Sequence, residues 1–375
     1  MINNRILILL PNDTLGGAEQ VLKQIGKYYS QHNYIVDVFF LKKKKENNWE
    51  GIGENVNLFY TKADREKYGV LQLLVQLKKH ATKYNYEFAY TSHAHTSGLI
   101  GFLRNLNFLK INNFIAREST SVHDRFTGIR LRRFKMVYRM GYLSTDLLIC
   151  QTNYMKLQLF KILPKFFPKL KRIEVIPNPI SLQDANLTIN ETAPHSTNYL
   201  VAAGRLIEEK GFDLLIQSFY NISEQYPFLD LIILGEGPKR MELESLIITL
   251  GLQGRVFLKG FQKDVYNYFK HAKVCVVSSR IEGFPNVLLQ MMSQNDKVVS
   301  TLCAGDIDKI KGVFTCSPNN VSELQQSIQT ALNNTEDFSL LFDQQLHERD
   351  INHFIHKIHS YLGITKKGDL AETLN

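Results

Sequence analysis

The stretch VCVVSSRIEGFPNVLLQ, Val274 to Gln290, decides how the rest of the chain is read. Its first four residues, Val274-Cys275-Val276-Val277, form an apolar run of the length and kind that makes a strand buried on both faces. Val287, Leu288, Met291 and Met292 then recur at helical spacing. The polar and Gly-Pro residues between them fall where a strand ends and a helix begins, the place at which open parallel sheets receive ligands. A glycine there lets the backbone come close to a ligand, and free N–H groups at a helix start favour anions or sugar hydroxyls. Glu282 places an acceptor at this mouth, and Gln290 sets a second polar group about two helical turns on.

The same arrangement recurs along the chain. Arg5 to Leu10 reads as a buried strand, and Gly16-Gly17-Ala18-Glu19 opens a helix carrying Val21, Leu22 and Ile25. Strand, glycine turn and helix begin a Rossmann-like unit, although the full G-x-G-x-x-G pattern is missing. Tyr34 to Leu41 and Glu87 to Thr91 read as further strands, the second followed by Ser92-His93-Ala94-His95 and a helix. His93 and His95 there suit either a contact to sugar or phosphate or the capping of that helix. Phe114 to Ala116 reads as a short strand leading into Arg117-Glu118-Ser119-Thr120-Ser121-Val122-His123-Asp124, the most polar strand end of the first half. In the second half, Tyr199 to Ala203 leads into Gly204-Arg205-Leu206-Ile207-Glu208-Glu209-Lys210-Gly211 and a helix from Phe212. Leu229 to Leu234 precedes Gly235-Glu236-Gly237-Pro238, and Val298 to Thr301 precedes Cys303-Ala304-Gly305-Asp306.

Glu282 to Gln290 resembles the "EGFPNVLLE" segment of retaining glycosyltransferases of family 4, with glutamine at the place of the second glutamate. Gly204 to Gly211 resembles the family's "GRL…KG" motif, Gly16-Gly17-Ala18-Glu19 its glycine loop, His93-Ala94-His95 its "HAH" segment, and Ile176-Pro177-Asn178-Pro179-Ile180 its hinge. The resemblance covers most of the chain. It implies an α/β fold of GT-B architecture, two Rossmann-like parallel-sheet domains facing across a cleft, and transfer of a sugar from a nucleoside diphosphate without a metal or other cofactor. On this reading Arg205, Lys210 and Glu282 are catalytic. Arginine can grip phosphate oxygens with two bonds and lysine adds a mobile charge, which suits a departing diphosphate. Donor contacts are implied at Gly16, Gly17, Gly235, Gly237, Gly283, Phe284, Asn286 and Gln290. Sugar or acceptor contacts are implied among His93, His95, Arg117, Glu118 and His123, the last three with a loop-internal ion pair as an equal alternative. Glutamine offers one acceptor oxygen and one donor group where glutamate offers a charged pair of acceptors, so Gln290 implies weaker donor binding with the chemistry kept.

Length, charge and composition bound the rest. At 375 residues, 44% hydrophobic and 22% charged, the chain suits two globular domains. The expected division is 1–180 for acceptor binding, a polar linker at 181–196, a nucleotide-sugar domain at 197–340, and a C-terminal helix at 341–365 packing back towards the first domain. The net charge of +9 is uneven, +15 over residues 1–180 and −6 beyond. Residues 125–172 hold most of the excess, with arginines and lysines interleaved with Phe160, Ile162, Leu163, Phe166 and Phe167. That pattern suits the anionic inner face of a membrane, or an acidic diphosphate acceptor; no nucleic-acid module accompanies it. No apolar run reaches the roughly 20 residues of a membrane span, and the first apolar run is too short for an export signal, so a cytoplasmic, membrane-peripheral enzyme is expected. Cys150, Cys275, Cys303 and Cys316 show no metal-ligand spacing. A lipid-linked acceptor of surface-polysaccharide assembly is implied by analogy. Sugar-nucleotide epimerases, phosphorylases and a non-catalytic partner protein remain alternatives on the same fold.

Overall fold

The computed structural model describes residues 4–44, 48–63, 66–119, 128–164, 167–182 and 192–364. The chain divides into two units, Met1–Pro179 with Ile351–Asn375, and Ile180–Asp350.

The first unit is a seven-stranded sheet built from β1 (Arg5–Asn12), β2 (Ile35–Lys42), β3 (Val56–Tyr60), β4 (Tyr86–Thr91), β5 (Ile111–Glu118), β6 (Leu147–Cys150) and β7 (Ile173–Val175). All pairs are parallel, in the order β3-β2-β1-β4-β5-β6-β7. Parallel strands need crossovers, and helices supply them on both faces, which is why Ile6 to Leu10 of β1 and all of β6 are unbroken apolar runs. One face is covered by α1 (Gly17–Gln31). The other is covered by α2 (Glu66–Ala81), α3 (Ala94–Asn105), α4 (Gly128–Tyr142) and α5 (Asn153–Ile162), whose inward side chains share one core with Leu7, Leu9, Phe39 and Phe114.

The second unit repeats the plan with six parallel strands: β8 (Asn198–Ala203), β9 (Leu229–Leu234), β10 (Val256–Leu258), β11 (Val274–Val277), β12 (Val298–Thr301) and β13 (Phe314–Cys316), ordered β10-β9-β8-β11-β12-β13. Its helices are α6 (Phe212–Ile222), α7 (Arg240–Thr249), α8 (Tyr266–His271), α9 (Asn286–Met292), α10 (Val321–Asn333) and α11 (Ser339–His347). A last helix, α12 (Ile351–Tyr361), returns to the first unit and packs on α1 through Phe354, Ile355 and Ile358. Among the described residues no helix is long and apolar enough to cross a membrane.

Two expectations are corrected here. The returning segment starts at Ile351, and α11, expected within it, stays in the second unit with Phe342 and Leu346 in that unit's core. The second unit also begins at Ile180, whose N–H donates to the Arg349 carbonyl (3.0 Å), so the chain's entry to this unit lies beside its exit. Strands β3 and β13 and helix α2 went unread in the sequence. Both strands are sheet edges, short and half-exposed, with little of the apolar run that marks a central strand. Of the 181–196 linker, residues 183–191 lie outside the described residues; His195 anchors its end, 2.8 Å from Asp230.

In each sheet the strand order reverses at one point, between β1 and β4 and between β8 and β11. The loops leaving those strands therefore open beside each other, with room between them for a ligand. In the second unit the loops are drawn into backbone contact by glycine. Gly235 has φ +138°, and a Cβ there would lie 1.9 Å from the Gly204 carbonyl oxygen. Gly211 has φ +61°, and a Cβ there would lie 2.3 Å from the Ser278 carbonyl oxygen. Gly251, also left-handed at φ +66°, has nothing within 4 Å of its added Cβ and serves as a control. Gly251→Ala should cost only the left-handed strain of about 1–2 kcal/mol. Gly235→Ala and Gly211→Ala should cost about 1–3 kcal/mol more through forced backbone movement. Urea denaturation of the three variants checks this ordering.

Candidate functional site

The switch point of the second unit gathers residues that lie 68 to 72 positions apart in the sequence. The loop after β8 and the loop after β11 are sewn together: Ser278 Oγ donates to the Lys210 carbonyl (3.0 Å) and Arg280 N–H to the Glu209 carbonyl (2.7 Å). Arg280 also grips Asp213 with two bonds of 2.8 and 2.6 Å, and the Asp213 bond holds its guanidinium pKa above the ordinary value. With the loops so fixed, Lys210 Nζ sits 2.6 Å from Glu282 Oε1, both side chains largely buried. The loop after β12 joins them, as Glu282 N–H donates to the Cys303 carbonyl (2.8 Å) and Thr301 Oγ1 to the Ser279 carbonyl (2.5 Å).

Arg205 is exposed on the same loop as Lys210, and its side chain has no partner among the described residues. Its neighbours in charge are already neutralised: Lys239 by Glu208 and Glu242, Arg280 by Asp213. Arg205 is thus a cation of this loop region with no carboxylate partner among the described residues, on the same loop as a lysine held by one carboxylate. The N–H groups of Gly283 and Phe284 likewise donate to no acceptor among the described residues. The Phe284 ring is core, 7% exposed and faced by the Arg349 guanidinium 5.1 Å from its centroid, so a donor would meet this residue through its backbone. Asn286 opens α9, half-exposed. Gln290, one turn further, donates its amide to the Tyr266 hydroxyl at 3.3 Å. Gly235 is occupied in packing on Gly204. Gly237 packs likewise on Leu206, whose carbonyl oxygen would lie 2.4 Å from an added Cβ. Loop contact by itself accounts for both glycines. The loop after β12 turns at Asp306, a left-handed residue with φ +66°.

The switch point of the first unit brings together two motifs read separately. Glu19, from the glycine loop after β1, lies 3.2 Å from His93 Nε2, from the loop after β4. Burial would raise the Glu19 pKa, but the His93 hydrogen bond and charge outweigh it and hold the carboxyl below its ordinary value. Gly16 caps α1 by its carbonyl, and a Cβ there would lie 2.7 Å from Glu19 Oε2; Gly17 is the first helical residue. His93 stands at the N-cap of α3, but its ring makes no capping bond, and its Nδ1 is buried without a hydrogen-bond partner. His95 is exposed two residues on, its ring 5.8 Å from that of His93.

Arg117 and Glu118 are strand residues, contrary to the expected loop, because β5 runs on to pair Arg117 with Ile149 and Glu118 with Cys150. Alternation sends them to opposite faces. Glu118 is buried and accepts from the Tyr142 hydroxyl (2.7 Å). Arg117 is 1% exposed, donates to Ser92 Oγ (2.9 Å) and Asn178 Oδ1 (2.6 Å), and lies over the Phe354 ring. Burial pushes its pKa down to about 9. His123 lies outside the described residues. Reading the sequence alone missed Ser279, Arg280, Asp213 and Tyr266; Ser279, three residues before Glu282, was the one visible by spacing.

Residues 15–184 match the family model described as Glycosyltransferase Family 4, and residues 197–334 match Glycosyl transferases group 1. The chain belongs to glycosyltransferase family 4. Among this family 4 chain's relatives, an uncharacterized glycosyltransferase of Haemophilus influenzae is 24% identical over 334 residues, 88% of this chain and 90% of its own length. Another, of Methanocaldococcus jannaschii, is 34% identical over 186 residues, 47% of this chain and 44% of that protein. An N-acetylgalactosaminyltransferase of Campylobacter jejuni, named for a diphospho-undecaprenol acceptor, is 29% identical over 44% of each chain. This chain thus spans less than half the length of two of these three relatives. Of solved structures, a Rickettsia africae glycosyltransferase aligns with a TM-score of 0.76 at 16% identity, covering 98% of this chain and all of that one. Anabaena HepE in complex with UDP and glucose aligns with a TM-score of 0.76 at 18% identity, covering 96% and 100%. At such identities the likeness is one of fold: two Rossmann-like parallel-sheet domains, as in GT-B glycosyltransferases.

The Glu19–His93 pair gives a pH test. A carboxyl with a depressed folded pKa adds stability that is full above its unfolded value, about 4.5, and is lost as pH falls through the folded one. Glu19→Gln should therefore cost roughly 1–3 kcal/mol at pH 7 and much less near pH 3, read from urea melts at the two pH values.

Proposed function

We propose that this family 4 glycosyltransferase moves a sugar from a nucleoside diphosphate, UDP first among them, to a hydroxyl of a lipid-linked saccharide. The observation that carries the reading is the Lys210–Glu282 pair at the switch point of the second unit, with Arg205 exposed beside it. Both cations would meet the diphosphate as its charge grows on cleavage of the glycosidic bond. Glu282 and the N–H groups of Gly283 and Phe284 would hold the sugar, and Gln290 with Tyr266 the nucleoside.

The reaction proposed keeps the anomeric configuration. The bond from C1 to the phosphate oxygen breaks as the acceptor oxygen bonds to C1 from the same side. The acceptor's proton passes to the phosphate oxygen that leaves, so no protein base and no metal enters the balance. His93, His95 and Glu19 are the groups of the first unit offered to sugar or acceptor. UDP and glucose in the Anabaena complex, and the diphospho-undecaprenol in the Campylobacter enzyme's name, support the donor and acceptor classes. So does a Rhizobium meliloti relative named for lipopolysaccharide core biosynthesis, 30% identical over 174 residues.

A lipid-linked acceptor calls for an enzyme at the membrane surface, and one helix layer fits. Helices α3, α4 and α5 contain no acidic residue. They expose Arg130, Arg132, Arg133 and Lys161 beside Ile129, Met136, Leu157 and Phe160, and they cover the same face of the first sheet. Basic side chains near an anionic bilayer contribute about 1 kcal/mol each, and the apolar ones can enter its interface. The cytoplasmic side of the membrane is the side where nucleotide sugars and anionic headgroups would both be met.

Two experiments test this reading. Thermal melting with UDP, GDP and their sugars, without metal, should show stabilisation by one nucleotide of about 2.7 kcal/mol at a hundred times its Kd. Arg205→Ala and Lys210→Ala should remove most of that shift; no shift with any nucleotide would sink the donor site. In flotation assays the wild type should rise with phosphatidylglycerol-containing vesicles and stay down with pure phosphatidylcholine. Arg130→Glu with Arg132→Glu and Arg133→Glu should weaken that binding by at least about tenfold. Equal flotation with both vesicles would refute the membrane face.

A further inference from the structure

Glu282 is held in a way that assigns its two carboxylate oxygens different tasks. Oε1 accepts from Lys210 Nζ at 2.6 Å and from Ser279 Oγ at 3.0 Å. Oε2 has no partner among the described residues. The side chain is 15% exposed, so its rotation is confined by what surrounds it. Ser279 is itself 2% exposed, and Thr301 Oγ1 fixes its backbone by donating to its carbonyl at 2.5 Å. The Glu282 N–H is tied to the Cys303 carbonyl at 2.8 Å. Main chain and Oε1 are fixed; Oε2 is the open acceptor.

We propose that Ser279 is a positioning residue that keeps Glu282 in place for the sugar when Lys210 turns to the donor's diphosphate. This rests on the donor-site reading above. Lys210 cannot give its full charge to a diphosphate while it neutralises Glu282 at 2.6 Å. As the anion draws the ammonium away, Oε1 loses its stronger partner, and a carboxylate with one free bond to spend would turn towards the lysine or the solvent. The Ser279 hydroxyl does not compete for phosphate, because it is buried and already directed at Oε1. It keeps Oε1 engaged, so Oε2 stays aimed outwards as the acceptor for a sugar hydroxyl. Recognition of the diphosphate and recognition of the sugar are thereby linked through one carboxylate. The hydroxyl matters once a sugar is present and is nearly silent towards a nucleotide without one.

The test uses the full chain as wild type, Ser279→Ala, Ser279→Cys and Ser279→Thr. Alanine removes the donor, cysteine keeps the bulk with a weak donor, and threonine keeps the hydroxyl. Each is measured for melting temperature, for UDP binding by calorimetry, and for turnover of the UDP-sugar that the wild type consumes fastest. Truncating the side chain leaves the carbonyl bond to Thr301 untouched, so UDP affinity should stay within about twofold in all variants. A hydrogen bond to an ion is worth enough that kcat should fall roughly tenfold in the alanine and cysteine variants, and threonine should recover most of it. Unchanged turnover in both the alanine and cysteine variants overturns the inference. So does a loss of UDP binding in step with turnover, which would make Ser279 a support for the loop rather than for Glu282. A wild type that binds no nucleotide removes the donor reading itself, and is seen before any variant is compared.

Discussion

The site in the second unit depends on backbone lying against backbone. Gly235 touches the Gly204 carbonyl and Gly211 the Ser278 carbonyl, at separations that no side chain would allow. These contacts tie the loops leaving β8, β9 and β11 into one body. Loops usually carry mobile polar groups, yet here Lys210 and Glu282 meet at 2.6 Å because the chain segments bearing them cannot move apart. The ion pair is a consequence of the glycines rather than a cause of the fold. A largely buried pair adds little net stability by itself, since desolvation offsets attraction. Its value is that both charges are stored, partly desolvated, where a charged ligand would use them.

The surrounding charges sharpen this. Arg280 is committed to Asp213 and Lys239 to Glu208 and Glu242, so the loop region is crowded with cations while few are available. Arg205 stands apart as an exposed cation without a partner among the described residues. On the reading proposed above, Arg205 would meet a diphosphate at once and Lys210 only on leaving Glu282, so the two groups would be coupled through their ion pair.

The first unit uses the same topology with different chemistry. Its switch point brings Glu19 to His93, a pair without glycine-zipped loops, and its buried polar residues serve the fold. Arg117 is an example: a guanidinium held by Ser92 and Asn178, with no carboxylate partner among the described residues, at the end of a central strand. Asn178 belongs to the segment that leaves this unit, and its amide also donates to Gln151 (3.2 Å). Arg117, a candidate for a sugar or acceptor contact in the sequence, is thus bonded to the segment where the chain departs.

The sequence alone determined the class of the fold and pointed to the strand ends at which Lys210 and Glu282 meet. Apolar runs such as Val274 to Val277, followed by Gly, Pro and a helical period, mark parallel strands and their ligand-facing ends, because burial on both faces demands continuous apolar residues. The edge strands β3 and β13 escaped it, being half-exposed and paired on one side. Tertiary structure alone decided which polar residues are free. Arg205, Lys210 and Arg280 are alike on paper, and only the packing of loops 70 residues apart leaves Arg205 exposed, pairs Lys210 with Glu282, and locks Arg280 on Asp213. It also decided that Arg117 and Glu118 lie in a strand, since one more pair of ladder bonds to β6 outweighed their polarity. Charge partners are long-range contacts, and a linear pattern carries no record of them.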